Sequence, residues 1–146
     1  MVTASATDAA ALPAELAAAS TFQPIVRGTS IRLTAVGPHL FAVRITGTDL
    51  LDWRPVQDRL TFTATEIPPA IATGVHAFLR AYGLEYGAFD FIDPGPGRPW
   101  SFLECNPSGM YGMVEIQSGL RITAAIADRL LTPLNQGSAG CSIGSP

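Results

Sequence analysis

Asp90 stands between Phe89 and Phe91 in the stretch YGAFDFID, and Glu104 and Asn106 sit two residues apart in FLECN. A carboxylate in the middle of an apolar strand is expensive unless something pairs with it, and residues at i and i+2 of a strand share a face. Oxygen donors of this kind suit magnesium, or manganese in its place. Mg²⁺ takes one or two carboxylates and completes its octahedron with water and substrate phosphate oxygens. The same residues have a plainer reading, an aspartate in a turn hydrogen bond and a glutamate paired with an arginine. Spacing alone leaves both open.

Arg32 and Arg44 flank the turn Gly37-Pro38-His39. If those three residues form the loop of a hairpin, Val36 pairs with Leu40, Thr34 with Ala42, and Arg32 with Arg44. Ile31, Leu33 and Ala35 then lie with Phe41, Val43 and Ile45 on the opposite, apolar face, and that surface fixes the register. Like charges directly opposite one another destabilise a sheet, so a shared anion would explain the pair. Separate pairing of each arginine with a local carboxylate explains it equally well.

Other residues carry less. His39 and His76 are far apart with no third partner. Cys105 alternates away from Glu104 and Asn106, towards a core where a free cysteine behaves as a small hydrophobe. The Gly-Pro run from Pro94 to Pro99 is a hairpin connection and lacks the strand-to-helix setting of a phosphate loop. Trp53, beside Arg54, either lines a peptide surface or caps the core. All nine basic residues are arginine, which excludes a P-loop lysine and Schiff-base chemistry. Two cysteines support neither a disulfide framework nor a four-cysteine zinc site. A net charge of −3 has the wrong sign for a binder of nucleic-acid phosphates.

The elements that must position these residues follow from the patterning. A chain of 146 residues, 47% of them hydrophobic, supports one domain with a sizeable core. Residues Phe22 to Arg27, Ser30 to Val36 and Leu40 to Thr46 read as antiparallel strands, and Asp49 to Asp58 as a loop. After Pro68-Pro69 the spacing of Ile71, Val75, Phe78, Leu79 and Tyr82 predicts a helix that Gly83 ends. Tyr86 to Asp93 and Trp100 to Cys105 are further strands, and a last helix runs from about Leu120 to Leu131. The order β-β-β-α-β-β-α predicts an α+β fold, a mainly antiparallel sheet packed by helices. Residues 1–20 are expected to be a linker or the remnant of an upstream subdomain, 21–132 the folded domain and 133–146 a disordered tail.

With these residues in place, the chain resembles a known family. SIRLTAVGPHLFAVRI, then YGAFDFID, then FLECNPSGMYGMVEIQSGLRITAAIADRLL, with Asp52-Trp53-Arg54 after the arginine hairpin, looks like the carboxy-terminal part of an ATP-grasp ligase. The branch it resembles is that of the ribosomal peptide maturases related to the microviridin ligases. The resemblance runs from about Phe22 to Leu131, and its blocks keep the family's order. It implies that Arg32 and Arg44 hold nucleotide and acyl phosphates in a catalytic role, with Asn106 also at the nucleotide, and that Asp90, Glu104 and Asn106 bind magnesium. The implied reaction activates a carboxylate with ATP to an acyl phosphate, which an amine or hydroxyl then attacks to give an amide or ester. Phosphoryl transfer needs alignment and charge compensation more than covalent help, which such a set provides.

The chain departs from the family in lacking the upstream subdomains with their phosphate-clamping lysines, and Met110-Tyr111 replaces a glutamine-tryptophan pair. The expectation is therefore a fragment or split half of a cytoplasmic ligase. Its partners would be a precursor peptide and a separate chain carrying the missing half, a homo-oligomer being compatible, with no nucleic acid and no membrane. The alternative is a non-catalytic remnant that binds a peptide or a partner.

Overall fold

A computed structural model of the chain describes Ala10, residues 22–51 and residues 53–131. The linker expected at 1–20 and the tail expected at 133–146 fall, Ala10 aside, outside the described residues.

Eight stretches of regular structure follow one another: β1 (Thr29–Val36), β2 (His39–Thr46), β3 (Thr61–Ala64), α1 (Pro69–Tyr82), β4 (Tyr86–Asp93), β5 (Ser101–Asn106), α2 (Gly112–Ser118) and α3 (Ile122–Leu131). A short 3₁₀ turn, Arg54–Arg59, precedes β3. The five strands form one sheet in the order β3-β2-β1-β4-β5, and every neighbouring pair is antiparallel. The architecture is α+β.

Both faces of the sheet are covered. On one, Ile31, Leu33, Ala35, Ala42, Phe89 and Phe91 pack against Val75 and Leu79 of α1. The apolar stripe of α1 explains this side: Ile71 and Phe78 extend it, while Tyr82 is exposed and stacks on Phe78. Pro69 opens the helix, and Leu84 N–H closes it on the Leu79 carbonyl at 2.9 Å after Gly83. On the other face, Val36, Val43, Ile45 and Phe62 pack with Leu60, Val114, Ile122 and Ala125, so α2, α3 and the segment before β3 form a third layer. Burying a side chain such as Leu33 or Phe89 contributes about 2 kcal/mol each, and both are essentially inaccessible.

Three expectations are corrected here. Residues 22–27 are not a strand; they are exposed and pair with no strand of the sheet, so apolar content alone did not bring them into it. The third strand is instead β3, inside the stretch that follows the expected loop, and α2 was not foreseen.

The third correction concerns the hairpin. Val36 pairs with His39, so the turn has two residues and the register is one step from the expected one: Arg32 lies opposite Val43, and Arg44 opposite Ile31. Gly37 has φ of +52°, and the ring of Pro38 imposes a negative φ on the next residue. That sign pattern belongs to the type II′ turn, whose twist matches the strands it joins. Gly37 N–H also donates to the Glu85 carbonyl at 2.8 Å, tying the turn to the start of β4. Because directly opposed residues share a face, Arg32 and Arg44 point to opposite sides of the sheet.

Candidate functional site

The carboxylates meet on the face that bears α2 and α3. Asp90 lies directly opposite Glu104 across β4 and β5, and Ala88 directly opposite Asn106, which puts Asp90, Glu104 and Asn106 on one face. A bulge makes this possible. The register shifts between Asp90 and Phe91, so that Phe91 faces Phe102 and Leu103 is the extra residue. In a regular strand Phe102 and Glu104 would share a side. The bulge instead sends Phe102 to the aromatic cluster with Phe78, Phe89 and Phe91, and Glu104 to Asp90.

Arg32, on β1, is opposite Asp90 in the β1–β4 register and donates from Nη1 to Asp90 Oδ1 at 2.8 Å. Both side chains are more than nine-tenths buried. Arg54 completes the cluster from the 3₁₀ turn. Its Nη2 lies 3.0 Å from Asp90 Oδ2 and 2.5 Å from Glu104 Oε1, so one nitrogen spans the two acids. Burial pushes the Asp90 carboxyl above the ordinary range, against the opposing pull of Arg32 and then Arg54. Trp53, next to Arg54, packs edge-on against Phe62 at 5.7 Å and joins the core of this face.

A loop from Pro107 to Tyr111 passes over the cluster. Asn106 Oδ1 starts it by accepting from Ser108 N–H at 2.9 Å, and Tyr86 holds it down by donating its hydroxyl to the Gly109 carbonyl at 2.5 Å. Burial pushes the Tyr86 phenol up, which keeps it a donor. Only glycine fits at 109: a Cβ there would lie 2.6 Å from Ala88 Cβ and 2.8 Å from Arg32 Nη2. The Met110 carbonyl stands 3.4 Å from Arg32 Nη2. Beside this loop a groove of about 590 Å³ opens between Val36, Tyr86, Met110, Tyr111 and the Ile126 and Leu130 positions of α3.

Of the two readings left open for Arg32 and Arg44, this geometry shows separate carboxylates and not one shared anion. Arg44 lies on the other face, where its Nη2 reaches Asp93 Oδ2 at 2.5 Å. Each arginine therefore pairs with its own carboxylate. Cys105 faces the core on the α1 side as a free thiol, and burial pushes its pKa up. His39 begins β2 and His76 is on α1, and neither enters the cluster. Among the described residues no three His, Cys, Asp or Glu side chains converge as a metal cage. Two carboxylates and an amide oxygen on one face are nonetheless a donor set that magnesium accepts, since water and phosphate oxygens complete its shell. Arg54 is the member of the cluster that strand patterning missed. It lies outside any strand, and the available signal was the excess of acid over base on that face once Asp90 and Glu104 were set opposite one another.

No helix of the described residues is long and apolar enough to cross a membrane. No protein-family profile and no curated protein matches the chain. Solved structures do. The macrocyclase MdnC from Microcystis aeruginosa MRC, bound with its precursor peptide MdnA, is 29% identical with a TM-score of 0.62 over 75% of this chain and 35% of its own. A RiPP-associated ATP-grasp ligase from Chryseobacterium gregarium, in complex with ADP and a leader and core peptide, is 28% identical with a TM-score of 0.58 over 68% of this chain and 32% of its own. The ATP-grasp ligase PsnB, complexed with its minimal precursor, is 26% identical with a TM-score of 0.61 over 74% of this chain and 35% of its own. The chain thus spans about a third of the length of the ligases it matches. On fold and sequence together, it corresponds to part of an ATP-grasp ligase of the peptide-maturing branch.

Proposed function

We propose that residues 21–132 supply the metal-holding part of an ATP-dependent carboxylate ligase that modifies a ribosomally made peptide. The observation that carries this reading is the opposition of Asp90 and Glu104 over the buried Arg32 guanidinium, in a chain that matches part of such ligases. The γ-phosphoryl of ATP passes to a peptide carboxylate, giving an acyl phosphate and ADP. An amine or hydroxyl then attacks the acyl carbon and phosphate leaves, so that one water is lost from the peptide. Mg²⁺, with Mn²⁺ as its substitute, would be held by Asp90, Glu104 and Asn106, and when bound it compensates the charge of the phosphate oxygens. Arg32 holds Asp90 Oδ1 and favours the ionised form of Asp90 against the burial that raises its pKa. Arg44, on the other face, has no part in this reading. The chain spans about a third of the matched ligases, so the rest of the nucleotide cleft is proposed to come from residues outside these.

The test is a chimera in which residues 22–131 replace the matching segment of MdnC, offered ATP, Mg²⁺ and the peptide MdnA. Release of ADP with loss of water from MdnA is expected, and Glu104→Gln should abolish both while the chimera stays folded by circular dichroism. A folded chimera whose ADP release is the same with Glu104→Gln overturns the reading.

A further inference from the structure

We propose that Arg54 is a built-in stand-in for the metal: its guanidinium holds Asp90 and Glu104 together in the metal-free protein, and a divalent cation binds by displacing it. The inference rests on the two-carboxylate reading above and adds to it a competitor supplied by the chain itself. Asp90 Oδ1 is committed to Arg32. That leaves Asp90 Oδ2 for a cation shared with Glu104, and a single nitrogen, Arg54 Nη2, contacts both Asp90 Oδ2 and Glu104 Oε1.

The two arginines of the cluster differ in how they can leave it. Arg32 springs from the central strand and its side chain is 8% exposed, whereas Arg54 springs from the start of the 3₁₀ turn and its side chain is 53% exposed. Arg54 can therefore swing away without opening the core. The Trp53 ring, its centroid already 6.0 Å from the Arg54 guanidinium carbon, offers an adjoining face to the departing cation.

The exchange changes the charge of the cluster. These four charges, Arg32 and Arg54 against Asp90 and Glu104, sum to zero. Replacing Arg54 by a divalent ion leaves +1 from Arg32, +2 from the metal and −2 from the acids, a net +1. Metal entry thus turns a neutral cluster into one that attracts an anion, and moves a second cation to its rim. The apparent metal affinity is lowered by the fraction of time that Arg54 occupies the acids.

The experiment titrates the 146-residue chain with Mn²⁺, reading free Mn²⁺ by electron paramagnetic resonance, in wild type, Arg54→Gln, Arg54→Lys and Glu104→Gln. Arg54→Gln is expected to tighten Mn²⁺ binding about five-fold, the worth of a partly exposed ion pair removed from competition. Arg54→Lys, which keeps the competing charge, should stay near wild type, and Glu104→Gln should bind weakly. Without metal, Arg54→Gln should melt at a lower temperature than wild type, and Mn²⁺ should restore more of the loss than it adds to wild type. Equal Mn²⁺ affinity in wild type and Arg54→Gln, with binding still lost in Glu104→Gln, overturns the stand-in and spares the metal reading. Mn²⁺ binding absent from every protein, or unaffected by Glu104→Gln, overturns both.

Discussion

Arg32 and Arg44 are alike in type and differ in what their removal should do. The Arg32–Asp90 pair is buried on both sides, so taking away the guanidinium leaves a desolvated carboxylate with Arg54 as its remaining partner. Breaking such a pair costs about 3 kcal/mol, whereas a half-exposed pair costs under about 1 kcal/mol. Arg32→Leu should therefore lower the urea midpoint strongly and Arg44→Leu slightly, a split that equal losses would refute. The pH gives a second reading of the same pair. Burial already raises the Asp90 carboxyl, and without Arg32 it rises further, so the folded variant takes up a proton before the unfolded chain does. Its deficit against wild type should then shrink as the pH falls from 7 towards about 5. The sequence showed that Asp90 needs a partner, because it stands between two phenylalanines. It could not show which arginine, since that depends on a register the side chains alone do not fix.

The register was illegible for a physical reason that belongs to the strands. A one-residue slip reverses the faces of a strand, and it is forbidden only where one face is apolar and the other polar. Here α1 covers one face and α2 with α3 the other, so β1 and β2 carry apolar residues on both sides and two registers look equally good. The turn decides instead, through Gly37 and Pro38. Long elements were legible: β4 was foreseen from Tyr86 to Asp93, and α1 from its prolines, its apolar spacing and Gly83. Short ones were not. β3 has four residues, three of them exposed, and α2 has seven with one buried, too little pattern to register. The corrected hairpin predicts an acid response. Arg44, reaching across the sheet, and then the Gly95 N–H hold the Asp93 carboxyl below the ordinary range, as Arg129 does for Glu85. A carboxylate with a lowered pKa stabilises the fold above its ordinary value and loses that contribution as the pH falls through the folded one. Urea midpoints measured from about pH 5 down to about pH 3 should fall in wild type and fall less in Asp93→Asn. An equally steep fall in the variant would mean that the Arg44 contact does not persist in solution.

How much of a nucleotide site these residues make depends on their charge. Nucleotide triphosphate brings about four negative charges at neutral pH, and a site for it needs positive potential that is not already spent. Within the cluster Arg32 and Arg54 already contact Asp90 and Glu104, and the chain as a whole carries −3 with no lysine. The groove beside the cluster is apolar, lined by Val36, Tyr86, Met110, Tyr111, Ile126 and Leu130, with the Glu85–Arg129 ion pair on its rim. It offers stacking surface and no phosphate-binding charge. The chain covers about a third of each matched ligase, and the two acids and two arginines described in the cluster offer a triphosphate no net positive charge. The 146-residue chain alone should therefore bind Mg²⁺-ATP more weakly than about 100 μM, an affinity worth about 5.5 kcal/mol. Isothermal titration at low salt, where any residual attraction is greatest, is the measurement. Micromolar binding would mean that a second copy of the chain, or residues outside 22–131, completes the site, and gel filtration with and without the nucleotide would tell these apart by whether the mass doubles.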